Sequence, residues 1–192
     1  MNSRELVKSG LVLALVAGVC GLVLGGTYAL VKPKIELVKD AALKESLGEV
    51  LPAASTGFVR KELSGNVTYF VGLSGGETVG YVFDVRSSGY SSAIEVLVGV
   101  DSSGVVTGSK VLSQQETPGL GARIVEVRPG EGKPWFTLQF EGKRGVELKL
   151  SKDGGKVDAI TGATISSRAV AEGVYEAASR LFAEASKAEV GG

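Results

Sequence analysis

The sequence predicts an α+β protein: a single N-terminal transmembrane helix followed by one domain in which a curved antiparallel sheet is flanked by helices. Three observations carry that expectation. Residues 10–31 (GLVLALVAGVCGLVLGGTYALV) hold no charge. At about 1.5 Å rise per residue this run is roughly long enough to cross a 30 Å hydrocarbon core. Residues 67–112 then change to short β-branched runs separated by Gly, Ser and Asp clusters, the spacing of antiparallel hairpins. Near the C-terminus, residues 169–188 are rich in Ala and Glu and place Val170, Val174, Ala177, Ala178 and Leu181 at helical spacing. Strands in one block, with helices before and after them, belong to the α+β class.

Residues 1–9 read as a short tail. The run 10–31 reads as a retained anchor. It exceeds the apolar core of a removable signal peptide, about 7 to 15 residues, and no Ala-x-Ala-like cleavage site closes it. Cys20 falls in mid-run, where a lipid attachment site would not lie. Ala17, Gly21 and Gly25 form a stripe of small residues that suits close approach of a partner helix, although Gly is frequent in membrane helices generally. Residues 32–57 read as a membrane-proximal amphipathic helix to residue 51 and a linker broken at 52–57. The rest, 58–192, is long enough for one compact domain. Strands are expected at 67–73, 78–85, 93–100 and 105–112, with two more at 136–140 and 146–150, before the closing helix.

Composition narrows the chemistry. There are 21 basic and 21 acidic residues, one Cys and no His. Equal charge removes the electrostatic argument for nucleic acid. A lone Cys cannot form an internal disulfide, and without a Cys or His cluster zinc, iron–sulfur and His-based hydrolytic sites are disfavoured. What remains is a protein that takes its chemistry from a cofactor.

The segment Asp158-Ala-Ile-Thr161-Gly162-Ala163-Thr164-Ile165-Ser166-Ser167-Arg168 is the most informative in the chain. The small residues Gly162 and Ala163 leave the Thr164 hydroxyl open to a phosphoryl group. A phosphate there would lie near the start of the closing helix, where unpaired N–H groups favour negative charge. The competing reading is that Thr164, Ser166 and Ser167 only cap that helix. Asp158 has two readings, orienting the segment for modification or forming an Asx-type turn. Thr161 is expected to hydrogen-bond within the turn. Upstream lies Glu116-Thr117-Pro118-Gly119-Leu120-Gly121, in which Thr-Pro-Gly also suits a type II turn.

The two motifs in this order, after an apolar anchor and with Gly89-Tyr90 and Trp135-Phe136 between anchor and acceptor, resemble the RnfG (RsxG) subunits of Rnf electron-transport complexes. The homologous NqrC subunits of sodium-pumping quinone reductases are similar. The resemblance covers nearly the whole chain. It implies FMN joined through its phosphate to Thr164, attached by a separate magnesium-dependent flavin transferase that uses FAD. It also implies a flavin pocket built from Glu116, Thr117, Leu120 and Gly121 with Thr161, Gly162, Ala163 and Ile165, Leu120 packing on the ring. Tyr90, Ser91, Trp135 and Phe136 are further candidates, although aromatics in such positions more often pack in a core or interface. Many relatives carry His before the Glu-Thr-Pro loop; here Gln114-Gln115 stand there, which puts any contact of that His in doubt.

Two functional classes follow. One is an electron carrier on the outer side of a membrane complex, working with other integral-membrane and redox subunits while the complex moves Na⁺ or H⁺. The other is a non-redox anchored scaffold in which Thr164 is only part of a helix start. Orientation divides the cues: Arg4 and Lys8 precede the anchor and Lys32, Lys34, Lys39 and Lys44 follow it, which leans toward a cytoplasmic domain. The resemblance implies an extracytoplasmic one.

Overall fold

The computed structural model describes residues 3–63 and 67–190. Residues 1 and 2 of the expected tail and the last two residues of the chain lie outside them. The chain divides into two compact units, Met1–Lys44 and Glu45–Gly192.

The first unit is helical. Helix α1 runs Ser3–Val50, so its last turns belong to the second unit. Within it Gly10–Lys32 is long and apolar enough to cross a membrane, and none of it is buried. A Cβ added at Gly21 or Gly25 would meet nothing within 4 Å, so the small-residue stripe stays open along the helix.

The second unit is built on five antiparallel strands in sequence order: β1 Gly57–Leu63, β2 Val67–Ser74, β3 Glu77–Ser88, β4 Ala93–Asp101 and β5 Val106–Ser113. Strands β2 to β5 correspond to the four expected runs. Strand β1 was not expected, because its alternation is broken by the charged run Arg60-Lys61-Glu62 on an edge strand, where charges discourage pairing with other chains. Register shifts at Gly72/Leu73, Glu95/Val96 and Gly99/Val100 insert bulges that bend the sheet.

The two faces of the sheet are packed differently. On one, Tyr69, Val71, Tyr81, Phe83, Val96 and Val98 pack with Val170, Val174 and Leu181 of the C-terminal helices. Tyr69, Tyr81 and Phe83 form a cross-strand aromatic ladder at centroid distances of 6.0 to 6.3 Å. On the other face Gly72, Gly80, Gly99 and Gly108 make a trough that takes the end of α1. A Cβ at Gly72 would come within 2.5 Å of Leu51, and one at Gly99 within 2.1 Å of the Val50 carbonyl. The Thr107 hydroxyl donates to that same carbonyl at 2.5 Å, satisfying a helix end that has no intrahelical partner.

The strands expected at 136–140 and 146–150 are helical instead. Helix α2 spans Trp135–Leu138 and a single 3₁₀ turn spans Gly145–Leu148. Pro134 stands at the α2 N-cap and its carbonyl accepts from the Thr137 hydroxyl, which starts the turn. Phe136 and Phe140 are four residues apart, both fully buried, with their rings edge to face at 5.6 Å. Their spacing is a helical period, and in so short an apolar run it cannot be told from alternation. Helix α3 runs Thr164–Glu176, a π-helical turn covers Ala177–Leu181, and α4 runs Phe182–Val190. The closing helix thus starts five residues before the expected boundary at 169, at Thr164 itself.

Candidate functional site

Three segments far apart in sequence meet at one pocket of about 440 Å³, lined by Tyr90, Glu116, Thr117, Leu120, Gly121, Gly162, Ala163, Thr164, Ile165 and Ser166. They are the turn after β3, the loop after β5 and the first turn of α3. The volume lies in the range of small-molecule sites.

The loop after β5 folds as its residues dictate. The Leu120 N–H donates to the Thr117 carbonyl at 3.2 Å, with Gly119 between them at φ 74°, a left-handed position that glycine takes readily. This turn projects Leu120, which is 45% exposed at the pocket mouth with Tyr90 and Ile165. Glu116 points the other way, into the protein, and is only 5% exposed. Its carboxylate accepts from the backbone N–H groups of Tyr90 (3.1 Å), Ser91 (2.9 Å) and Ser92 (3.1 Å) and from the Ser166 hydroxyl (2.5 Å). Burial opposes ionisation, but the Ser166 hydroxyl and the three backbone donors outweigh it and hold the Glu116 carboxyl below its ordinary range. Room for the carboxylate depends on two glycines: a Cβ at Gly89 would lie 2.6 Å from its Oε1, and one at Gly121 2.8 Å from its Oε2.

The acceptor segment is held by a second set of bonds. The Ser167 hydroxyl accepts from the Ile160 N–H at 3.0 Å and donates to the Ala163 carbonyl at 2.9 Å, and the Ala163 N–H closes back on the Ile160 carbonyl. Gly162, at φ 80°, makes the bend possible, which is a backbone reason for a residue chosen in the sequence for its small size. The N-cap of α3 is Ala163, so Thr164, Ser166 and Ser167 sit within the first turn and not at the cap. Ser167 N–H to the Ala163 carbonyl is the first intrahelical bond. The N–H groups of residues 164 to 166 therefore lack intrahelical partners and favour an anion beside them.

Of the four hydroxyls in this segment, those of Ser166 and Ser167 are buried and committed. Thr161 is exposed and outside the pocket lining; Thr164 is half-buried and within it. The hydrogen bonds of the turn come from Ser167 where Thr161 was expected. Asp158 is exposed: its backbone N–H and carbonyl are bound by the Gln139 side chain at 2.8 and 3.2 Å, and its Oδ1 accepts from Ser151. Trp135 and Phe136 lie elsewhere. Trp135 donates to Glu126 and carries the Arg128 guanidinium over its ring at 3.9 Å, while Phe136 is in the core. Ser91 contributes its backbone N–H and not a pocket wall. Tyr90, given little weight from sequence, lines the pocket and is 70% exposed; Gly89 before it was the available signal, as the position that lets the chain fold over Glu116.

The family described as the FMN-binding domain matches residues 89–179, a span that holds every residue of the pocket, and the RnfG N-terminal region matches residues 1–50. The G subunit of the ion-translocating oxidoreductase complex of Methanosarcina acetivorans is 34% identical over 192 residues, covering 95% of this chain and 98% of that protein. The chain belongs to the RnfG family. The protein of the same description from Vibrio atlanticus is 34% identical, covering 88% of this chain and 87% of its own. The G subunit of the proton-translocating ferredoxin:NAD(+) oxidoreductase complex of Clostridium ljungdahlii is 31% identical, covering 85% and 84%. As an RnfG-family chain it carries an N-terminal helix long and apolar enough to cross a membrane, and an FMN-binding domain. The pocket fits such a group: the apolar side chains of Leu120 and Ile165 stand at its mouth with Tyr90, the start of a helix contributes to its lining, and of the acceptor segment's hydroxyls that of Thr164 lies in the lining without being buried.

Proposed function

We propose that this chain is the covalent flavin-bearing subunit of an Rnf-type complex, with FMN joined through its phosphate to Thr164, relaying electrons while the complex moves Na⁺ or H⁺. The observation that carries the reading is that Thr164 alone among the four hydroxyls of the acceptor segment both lines the pocket and is not buried away from it, being half-exposed where Ser166 and Ser167 are enclosed. A Thr hydroxyl is a weak nucleophile and the chain has no His to activate it. Attachment therefore falls to a separate flavin transferase. In that step the Thr164 oxygen bonds to the FMN-side phosphorus of FAD, the anhydride bond breaks, AMP leaves with its electron pair, and the hydroxyl proton passes to a base of the transferase. The unpaired N–H groups of the first turn of α3 would hold the phosphodiester. Leu120, Ile165 and Tyr90 would hold the ring, Gly121 and Thr117 would complete the wall, and Gly162 with Ala163 would keep the approach to Thr164 clear. When bound, the flavin supplies the reversible electron acceptance that no side chain here offers. Donor and acceptor belong to the other integral-membrane and redox subunits of the complex.

The anchor at 10–31, the connector at 32–57 and the flavin domain at 58–192 make the working division, with the flavin domain outside the cytoplasm. Basic residues stand on both sides of the anchor, so charge bias sets orientation weakly and the complex itself fixes it. A C-terminal tag that is protected from external protease in intact cells would reverse this assignment.

The decisive test of the flavin is in-gel fluorescence after denaturation. Wild-type chain co-expressed with a transferase should fluoresce, and Thr164→Val should not, while folding is nearly unchanged because Thr164 makes no cap. A dark wild-type band would leave the non-redox scaffold as the reading. Fluorescence retained in Thr164→Val would move the attachment elsewhere.

A further inference from the structure

The flavin pocket contains two hydrogen-bond networks that meet at adjacent residues of α3 but hold different things. The Ser167 network ties Ile160 to Ala163 and fixes the turn that presents Thr164. The Glu116 network ties the 90–92 turn to the first turn of α3 and to the loop that carries Leu120. Neighbouring bonds thicken the second: Ser92 Oγ accepts from the Gln115 N–H at 2.8 Å, and the Glu116 N–H donates to the Gln114 side chain at 2.7 Å. No bond of the second network reaches the turn at 160–163.

From this we propose that Glu116 is a positioning residue for the flavin ring and not a ligand of it, so that seating the ring and attaching it at Thr164 are controlled by separate residues, Glu116 and Ser167. The inference rests on the reading of Thr164 as the attachment point. The carboxylate presents four acceptor positions to four donors and is enclosed by Gly89 and Gly121, so it has nothing left to offer a ligand. Its ionised form is required by the donors. A Gln there keeps an oxygen for the Ser91 and Ser92 N–H groups, but turns an NH₂ toward the Tyr90 N–H, donor against donor. The Ser166 hydroxyl can rotate and accept; the Tyr90 backbone cannot. Glu116→Gln thus frees specifically the turn that carries the Tyr90 ring, while Thr164 stays where Ser167 holds it.

The experiment uses the full chain in detergent, co-expressed with a flavin transferase, as wild type, Glu116→Gln, Ser166→Ala and Ser167→Ala. Covalent flavin per chain is read by denaturing-gel fluorescence, and ring seating by the visible circular dichroism per bound flavin. In Glu116→Gln attachment should stay within about twofold of wild type while the ratio of seated to unseated ring falls by about fivefold, the equivalent of one net hydrogen bond, and the dichroism per flavin falls with the seated fraction. Ser167→Ala should show the reverse, with attachment down about fivefold and dichroism per flavin unchanged. Should Glu116→Gln fail to fold, Ser166→Ala decides, since it leaves the charge and three backbone bonds in place: its dichroism should fall with attachment intact. Wild-type dichroism in the folded Glu116 or Ser166 variant overturns the proposal. So does parallel loss of both signals in the Glu116 and Ser167 variants. A wild-type chain without covalent flavin would instead sink the attachment reading itself, and is told apart by that control.

Discussion

Four donors converge on one buried carboxylate at Glu116, and this single residue sets how the site responds to acid. The folded-state pKa of Glu116 is depressed. Its contribution to stability is therefore fully present above the ordinary glutamate value, about 4.3, and is lost as pH falls through the lower folded value. The pocket should hold its shape from neutral to mildly acid solution and loosen only below the usual carboxylate range. Measuring bound-flavin dichroism from pH 7 down to about 3 checks this; a transition centred near pH 6 would mean that another group governs the site. At this scale the sequence was informative about identities and less so about roles. Thr164, Leu120 and Gly162 line one pocket. The inward aim of Glu116 and the clasp of Ser167 were not legible, because both depend on partners that local pattern does not pair: 50 residues separate Glu116 from Ser166.

Among the elements, the glycine trough under the end of α1 makes the sharpest prediction. Gly99→Val places a Cβ 2.1 Å from the Val50 carbonyl and 2.8 Å from the Thr107 hydroxyl. Backbone must move to admit it, and overpacking of this kind costs about 1 to 3 kcal/mol or more. Thermal unfolding of the full chain in detergent should show it as a clear loss of midpoint. Gly132→Ala, with nothing within 4 Å of the added Cβ, should change stability by less than about 0.5 kcal/mol. A trough variant no less stable than this control would show that the helix end does not pack there. The strands β2 to β5 could be read from short β-branched runs between turn clusters, and the consecutive buried residues in β2, β3 and β4 reflect a sheet covered on both faces. Helix α2 could not, because a four-residue apolar segment is too short to show its period. Strand β1 escaped notice because an edge strand with charges across its middle carries little alternation.

For the whole molecule, the boundary that matters to folding is not the apparent break at residues 52–57. The second compact unit begins at Glu45, and Ser46, Leu47, Val50 and Leu51 are buried. A chain beginning at Glu45 should therefore fold as a soluble domain and accept flavin from a transferase. A chain beginning at Pro52 should expose Phe70, Val82 and Leu97 on the sheet face that α1 covers, and aggregate. Size-exclusion profiles of the two fragments separate these outcomes, and a monodisperse fragment from Pro52 would show the helix end to be dispensable. The Glu116–Ser166 bond carries a further consequence, in time and not in space. One of its partners lies in α3, which follows every strand in the chain, and its other bonds reach back to the turn after β3. A ribosome makes these segments in order, so the sheet can form while the ring pocket still lacks its last wall. The pocket is completed only when α3, made after every strand, has docked on the sheet. A chain still lacking α3 thus has a sheet without a finished pocket, so the pocket forms late whatever the sheet does early.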